Sequence, residues 1–489
     1  MSSSVILAIV IGYFLLLLAI AFYTARGATN ESFFIGQKKS NWLLVAYGMI
    51  GTSLSGVTFM SVPGEVNAKG FAYMQVVIGY LIGYGVVAFV LLPLYYRLNL
   101  TSIYSYLQSR FGNTSYKTGA GFFLLSRTLG ASIRIYLVLM VLQIFLLDGL
   151  GIPFAASVFF ILLMILLYTF QGGVKTIVWT DTLQTTGMIL ALILTIVLIN
   201  QELGFSFSDL LSAISAKGYT QTFQTSDWKP GSFFLKQILG GAFVTITMTG
   251  LDQEMMQKNI SVRTLGESQK NMLLFSGILL FINFLFLVLG GALYVFMETK
   301  GIAFPAKSDE AFSFVALNYL PPVAGLIFIL GLVSALFPSA DGALTALTSS
   351  FCIDILGMKD RNDWNEEKKS KVRITVHVTV TILFLFLILL YQKIIETSVI
   401  YTILKVAGYT YGPLLGLFAF GILTKRNPKE IWVPVVCFVS PVICYFLAGN
   451  SAQWFNGYQF GFELLAVNGL ITFIGLYLIS KRQEVSAVV

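Results

Sequence analysis

The chain has 489 residues, of which 56% are hydrophobic, 15% aromatic and only 11% charged, with a net charge of +8. Soluble globular proteins carry about 25% charged residues. Together with a mean hydropathy of +0.81, this excludes a soluble domain, a disordered chain, a nucleic-acid binder and a disulfide scaffold, and leaves a polytopic, all-α membrane protein.

Thirteen apolar runs follow in order, near 4–25, 41–66, 71–96, 119–146, 153–170, 176–200, 233–256, 271–297, 323–350, 374–392, 397–424, 431–448 and 458–480. Each approaches the ~20 residues that a spanning helix needs. The first is preceded by Met1 and three serines with no basic residue, so it reads as a retained span rather than a cleaved leader. Segments 201–232 and 298–322 are long enough for short surface helices or lids. Lysines and arginines alternate loop by loop. Twenty-one fall on one side, from Arg26 and Lys38 through Lys258 to Lys481, and seven on the other, among them Lys69, Lys236 and Lys300. Basic loops face the cytoplasm. The pattern predicts a plasma (inner) membrane protein with its N-terminus outside and its C-terminus inside. Cys352, Cys437 and Cys444 lack metal-like spacing, and His377, the single histidine, reads as a packed neutral residue.

Four spans are unusual. The second, from Gly48 to Thr58, and the seventh, from Gly240 to Gln253, are rich in Gly, Ser and Thr. Interrupted segments at matching places in two halves point to an inverted-repeat transporter whose freed backbone groups bind ions or solute, although small residues also serve close helix packing. The fourth span carries Arg127 and Arg134, and the ninth carries Pro338, Ser339 and Asp341. Intramembrane charge is expensive and usually faces a cavity or a partner. Arg127 is placed to snorkel inward or to pair, and Arg134 to form an ion pair or to contact solute. Asp181, at the start of the sixth span, is either an ion ligand or a cap of its helix N-terminus. One histidine and no clustered glutamates argue against a membrane-embedded enzyme. A channel or sensor without stoichiometric coupling remains as a rival.

Four stretches resemble the sodium:solute symporters, the group containing sodium/glucose, sodium/proline and sodium/sialic-acid transporters. They are Thr52–Ser61, Gly172-Gly173 with Trp179–Gln184, Asp252–Lys258 and Pro338–Asp341. The resemblance covers nearly the whole chain and implies one transporter domain, 1–489. Its core would be leucine-transporter-like, with inverted five-helix repeats at 41–200 and 233–424, an extra helix at 1–26 and two more at 431–480. It implies a co-transported sodium ion held by carbonyls of Gly51, Leu54 and Ala335 and by Ser339. Pro338 stands where the family usually has serine, which removes one hydroxyl ligand. Asp181 matches an aspartate of the ion pathway, a ligand in members with a second sodium, and Asp341 falls where those members have serine. Without a cation, two such carboxylates repel, and one could take a proton instead. The resemblance further implies a small polar organic solute (a sugar, sugar acid, amino acid or carboxylate) contacted by Ser53, Ser55, Thr58, Tyr73, Gln75, Arg134 and Asp252. Phe59 and Tyr136 are gate candidates, with plain core packing as the alternative for each. The sialate transporters use an arginine in the fourth span, about one turn from Arg134. No obligate protein partner and no nucleic acid are expected, only the lipid bilayer and the solute.

Overall fold

The computed structural model describes residues 3–24, 41–100, 102–394 and 398–482, without the side chains of residues 3–6, 9, 21, 24, 168 and 170–179. Arg26, Lys38 and Lys39, and the side chains of Lys175 and Trp179, therefore lie outside the described residues. The chain is 81% helical, and among the described residues a two-stranded ribbon pairs Arg426–Pro428 with Ser480–Arg482. Among the described residues, seven helices are long and apolar enough to cross a membrane, or up to ten if each of three bent pairs counts as one span.

Helix α1 spans Ser3–Thr24. The second predicted span is broken into α2, Trp42–Ser53, and α3, Gly56–Gly64, which meet at 57°. Then come α4, Tyr73–Val86, and α5, Asn113–Leu142. Helix α6 runs from Phe154 to Leu203, and α7, Phe207–Ala216, follows in the first long connection. The seventh span is also broken: α8, Phe234–Thr245, continues to Gly250 and meets α9, Gln253–Ile260, at 65°. Helix α10 is Leu265–Thr299, and α11, Ala311–Asn318, lies in the second long connection. The set closes with α12, Pro322–Ser350; α13, Glu366–Tyr391; α14, Val399–Thr410; α15, Gly412–Leu423; α16, Val433–Trp454; and α17, Leu464–Leu478.

Two features differ from the sequence reading. The loop expected between the fifth and sixth spans is absent, because the backbone stays helical across Gly172 and Gly173. Asp181 therefore sits well inside a helix and does not cap an N-terminus. The eleventh run, expected as one straight span, bends by 47° between α14 and α15, where Gly412 is followed by Pro413 at the new helix start. Proline lacks the N–H that would continue the ladder.

The core is built round α6 and α12, which pack along each other, with α2, α3 and α10 against them. Glycines set the closest approaches. A Cβ on Gly241 of α8 would run into the Val76 carbonyl of α4, and one on Gly79 would meet the backbone of Ile238 and Ala242. His377 is buried, as expected, with Thr169 Oγ1 at 2.9 Å from Nε2 and Thr348 Oγ1 at 2.8 Å from Nδ1.

Candidate functional site

Across the first break the helical ladder is skipped. Leu54 N–H donates to Ile50 O, and the next bond is Phe59 N–H to Ser55 O. The carbonyls of Gly51 through Leu54 are left without helical partners, as at any helix C-terminus. Leu54 adopts an extended conformation (φ −83°, ψ 93°), and Ser55 does the same at the start of α3 (φ −87°, ψ 174°). On α12, Pro338 lies inside the helix and cannot donate to the carbonyl four residues back. Ser334 thus gains a freed carbonyl one residue before Ala335, and Ser339 Oγ donates to the Ala335 carbonyl at 3.4 Å. The sequence reading counted Pro338 only as a lost hydroxyl. Its backbone consequence is a carbonyl exposed on the same turn.

A cavity of about 90 Å³ adjoins this break. Leu54, Ser53, Ser55 and Thr58 line it from the break itself, and Tyr73, Tyr80 and Tyr84 from α4. Thr245 and Thr249 border it from the second broken segment, Asn283 from α10 and Arg134 from α5. Arg134 makes no hydrogen bond or ion pair among the described residues, so its guanidinium is available to the cavity. Tyr73 and Tyr80 share a hydrogen bond of 3.0 Å.

Beside the cavity runs a buried chain of alternating charge. Lys258 Nζ donates to Asp181 Oδ2 at 2.7 Å, to Thr52 Oγ1 at 2.6 Å and to Glu254 Oε1 at 3.3 Å. Thr52 Oγ1 in turn donates to Asp181 Oδ2 at 3.1 Å. Glu254 also pairs with Arg127, whose Nε lies 3.7 Å from Asp252 Oδ2. All five charged residues are at most 4% exposed. Burial on this scale is tolerated only where charges satisfy one another. Asp341 is fully buried and accepts the Gly342 N–H at 2.6 Å. A Cβ on Gly342 would collide with the Glu254 carboxylate, which places this turn of α12 against the chain.

Several expected contacts lie elsewhere. Asp252 caps α9, with Oδ1 accepting the N–H groups of Glu254 and Met255, and it does not line the cavity. Gln75 spends its amide on backbone, donating to Ala72 O at 3.0 Å and accepting Gln224 N–H at 3.3 Å. It borders a separate hollow of about 700 Å³ that shares Tyr73 and Leu404 with the central cavity. Phe59 is fully buried among Phe286, Phe312 and Phe328, with ring centroids at 5.9, 4.9 and 5.8 Å. Tyr136 is buried too, donating to Met140 Sδ at 2.9 Å and lying edge-on to Phe154 and Tyr391. For both, the surroundings are those of packing.

The sequence reading missed the roles of Lys258 and Glu254. It counted Lys258 among loop cations, whereas the residue is 3% exposed. The available signal was Glu254 four residues before Lys258, the spacing of an ion pair on one helix face. Tyr80, Tyr84, Thr249 and Asn283 were also missed, since nothing in sequence separates them from other polar residues in apolar helices.

The model of the sodium:solute symporter family matches residues 33–430. The sodium/sialic acid symporter SiaT of Proteus mirabilis is 24% identical over 478 residues, covering 95% of this chain and 94% of the relative. Sodium-coupled monocarboxylate transporter 1 of Xenopus laevis is 26% identical over 431 residues, covering 82% of this chain and 64% of the relative. A solved Na+-coupled sialic acid symporter in a substrate-bound outward-open state superposes with a TM-score of 0.82. At 21% identity, that match spans 98% of this chain and 99% of the other and shows a shared transporter fold. The protein is a multi-pass membrane protein of a transport family rather than an enzyme, and it belongs to the sodium:solute symporter family.

Proposed function

We propose that the protein is a sodium-coupled secondary active symporter that imports a small carboxylated solute by alternating access. The observation that carries this reading is Arg134, a guanidinium with no hydrogen bond or ion pair among the described residues, on the wall of a cavity that also holds hydroxyls, one amide and Arg127, the latter already paired with Glu254. A cation in an apolar setting attracts a bidentate carboxylate partner. The names of two relatives, a sialic acid symporter and a monocarboxylate transporter, agree with an acidic solute. The cavity of about 90 Å³ favours a carboxylate of few heavy atoms over a nine-carbon sugar acid, because drug-sized ligands fill about 300–1,000 Å³. Ser53, Ser55, Thr58 and Tyr73 would contact the solute.

Sodium would be held by the free carbonyls of Gly51 and Leu54 and, across from them, by Ala335 and Ser339, with the Ser334 carbonyl in place of the missing hydroxyl. Asp181 and Asp341 would supply the negative charge. The architecture read here is thirteen spans, with two inverted five-helix repeats of the leucine-transporter type, the N-terminus outside and the C-terminus in the cytoplasm. Coupling requires that sodium bind one arrangement of the broken helices better than the other.

The test is uptake into proteoliposomes of labelled short monocarboxylates, sialate, proline and glucose, with and without an inward sodium gradient. Sodium-dependent accumulation of a short carboxylate, abolished by Arg134→Gln and by Asp181→Ala, is expected. Accumulation that follows a proton gradient and ignores sodium would overturn the coupling. Unaltered uptake in Arg134→Gln would overturn the solute class.

A further inference from the structure

A hollow of about 570 Å³ shares no lining residue with the solute cavity. It lies where two membrane-crossing runs end. Arg97 is the last residue of the run Tyr73–Arg97, and the bent pair α14–α15 finishes at Leu423. Arg97, Arg110 and Lys425 line the hollow, and no acidic residue does. Tyr106 stands in the wall with them. Burial raises its hydroxyl above the ordinary value, and the nearby Arg110 and Arg97 oppose that rise.

The three cations lack counter-charges. Other lysines pair with carboxylates, as Lys69 does with Glu65 and Lys371 with Glu367. Among the described residues, no carboxylate lies within ion-pair distance of Arg97, Arg110 or Lys425. Arg110, at the end of the short helix Ser105–Arg110, is held by neutral groups instead. Its Nε donates to Gly421 O at 3.3 Å, Nη1 to Asn427 Oδ1 at 2.6 Å, and Nη2 to the carbonyls of Thr424 and Arg426 at 2.8 and 3.0 Å. These bonds hold the guanidinium in the wall and leave its charge uncompensated. Arg97 and Lys425 are exposed, so their long side chains can turn to an anion.

The helix behind Arg97 tells which anion. Leu94 and Val90, three and seven residues before it, continue one face of the run, and both line the hollow. Val90 is 43% exposed. This face passes from apolar side chains within the span to a guanidinium at its end. A phospholipid has its parts in the same order, acyl chain and then phosphate, whereas free phosphate has no use for an apolar wall. The volume falls in the range of about 300–1,000 Å³ that accommodates ligands much larger than a simple ion. Basic pockets between spans at the membrane surface suit acidic headgroups.

We propose that this hollow binds the phosphate headgroup of an anionic lipid. Arg97 and Lys425 contact the phosphate, Arg110 supplies fixed charge behind it, and an acyl chain runs along Leu94 and Val90. On the orientation proposed above, the lipid belongs to the inner leaflet.

The test is binding of a tail-labelled fluorescent phosphatidylglycerol to the purified full-length protein in uncharged detergent. Its Kd should rise about fivefold in Arg97→Gln and in Lys425→Gln, the factor one cation contributes near an anionic lipid surface, and further in the double variant. Both residues are exposed, so the melting temperature without lipid should stay at the wild-type value. Removing two cations elsewhere, with Arg263→Gln and Lys270→Gln together, should leave the Kd unchanged. Unlabelled phosphatidylglycerol should displace the probe, and phosphatidylcholine and inorganic phosphate should not. Wild-type affinity in the Arg97/Lys425 double variant would overturn the proposal. An equal loss in the Arg263/Lys270 variant would overturn it too, by reducing the effect to net charge. Displacement by inorganic phosphate as effective as by phosphatidylglycerol would overturn the lipid as ligand and assign the hollow to free phosphate.

Discussion

Arg127 shows how single residues hold this interior together. Its guanidinium reaches both Glu254 and Asp252, so Arg127→Met would leave three buried carboxylates, Asp181, Glu254 and Asp252, to one lysine. Breaking a buried pair from one side costs about 3–5 kcal/mol, and a large fall in the midpoint of thermal unfolding in detergent is expected. Adding Glu254→Gln should recover part of the loss, because the stranded charge is removed with its partner. A double variant no better than the single one would show that Arg127 is not paired as described. At this scale the sequence was partly legible. Arg127, Arg134, Asp181 and Asp341 drew notice as charges in apolar runs, whereas Lys258 did not, because it ends a segment and looks like a loop cation. Which charge faces which is a matter of three helices meeting, and no spacing within one of them encodes it.

At the scale of elements, the breaks do the positioning. The first two were visible as clusters of Gly, Ser and Thr, since such residues favour local backbone alternatives over helix. The third, before Pro413, carried its own signal in Gly412-Pro413 and was overlooked inside an otherwise apolar run. The helices that carry the breaks are set by glycine contacts. Gly241 faces the Val76 carbonyl and Gly79 faces Ile238; both obstacles are backbone and cannot rotate away. Gly241→Leu should therefore force α4 and α8 apart at a cost of about 1–3 kcal/mol, read as reduced thermal stability. Because both helices border the cavity, solute affinity should fall as well. A variant with unchanged melting would show that the two helices are not in such close contact.

Across the whole molecule, the two long connections tie distant helices together. Phe71 N–H donates to Gln221 O, and Tyr219 hydrogen-bonds Glu298 at 2.6 Å. Asp309, in the second connection, accepts the Val399 N–H at 3.1 Å at the start of α14. Burial raises the Asp309 carboxyl above its usual range, with the Val399 N–H only partly offsetting this. A raised carboxyl binds its proton more tightly folded than unfolded, so this group's contribution to stability declines as pH rises from about 3.9 through its raised value. Asp309→Asn keeps an acceptor for Val399 and should flatten that part of the stability–pH curve. An unchanged slope would show that Asp309 titrates normally.

The sequence by itself determined the membrane setting, the all-helical class, the two principal breaks and the family motifs. Those depend on composition and on runs of adjacent residues, which the chain states directly. Only the tertiary structure decided that Lys258 lies against Asp181, that Asp252 caps α9 instead of bordering the cavity, and that Gln75, Phe59 and Tyr136 serve packing and loop contacts. The reason is physical. In an apolar helix every polar side chain must find a partner, and the choice among partners is made by which helix faces meet. That is fixed by close backbone approaches such as Gly51 on Thr185 and Gly342 on Glu254, between residues far apart in the chain.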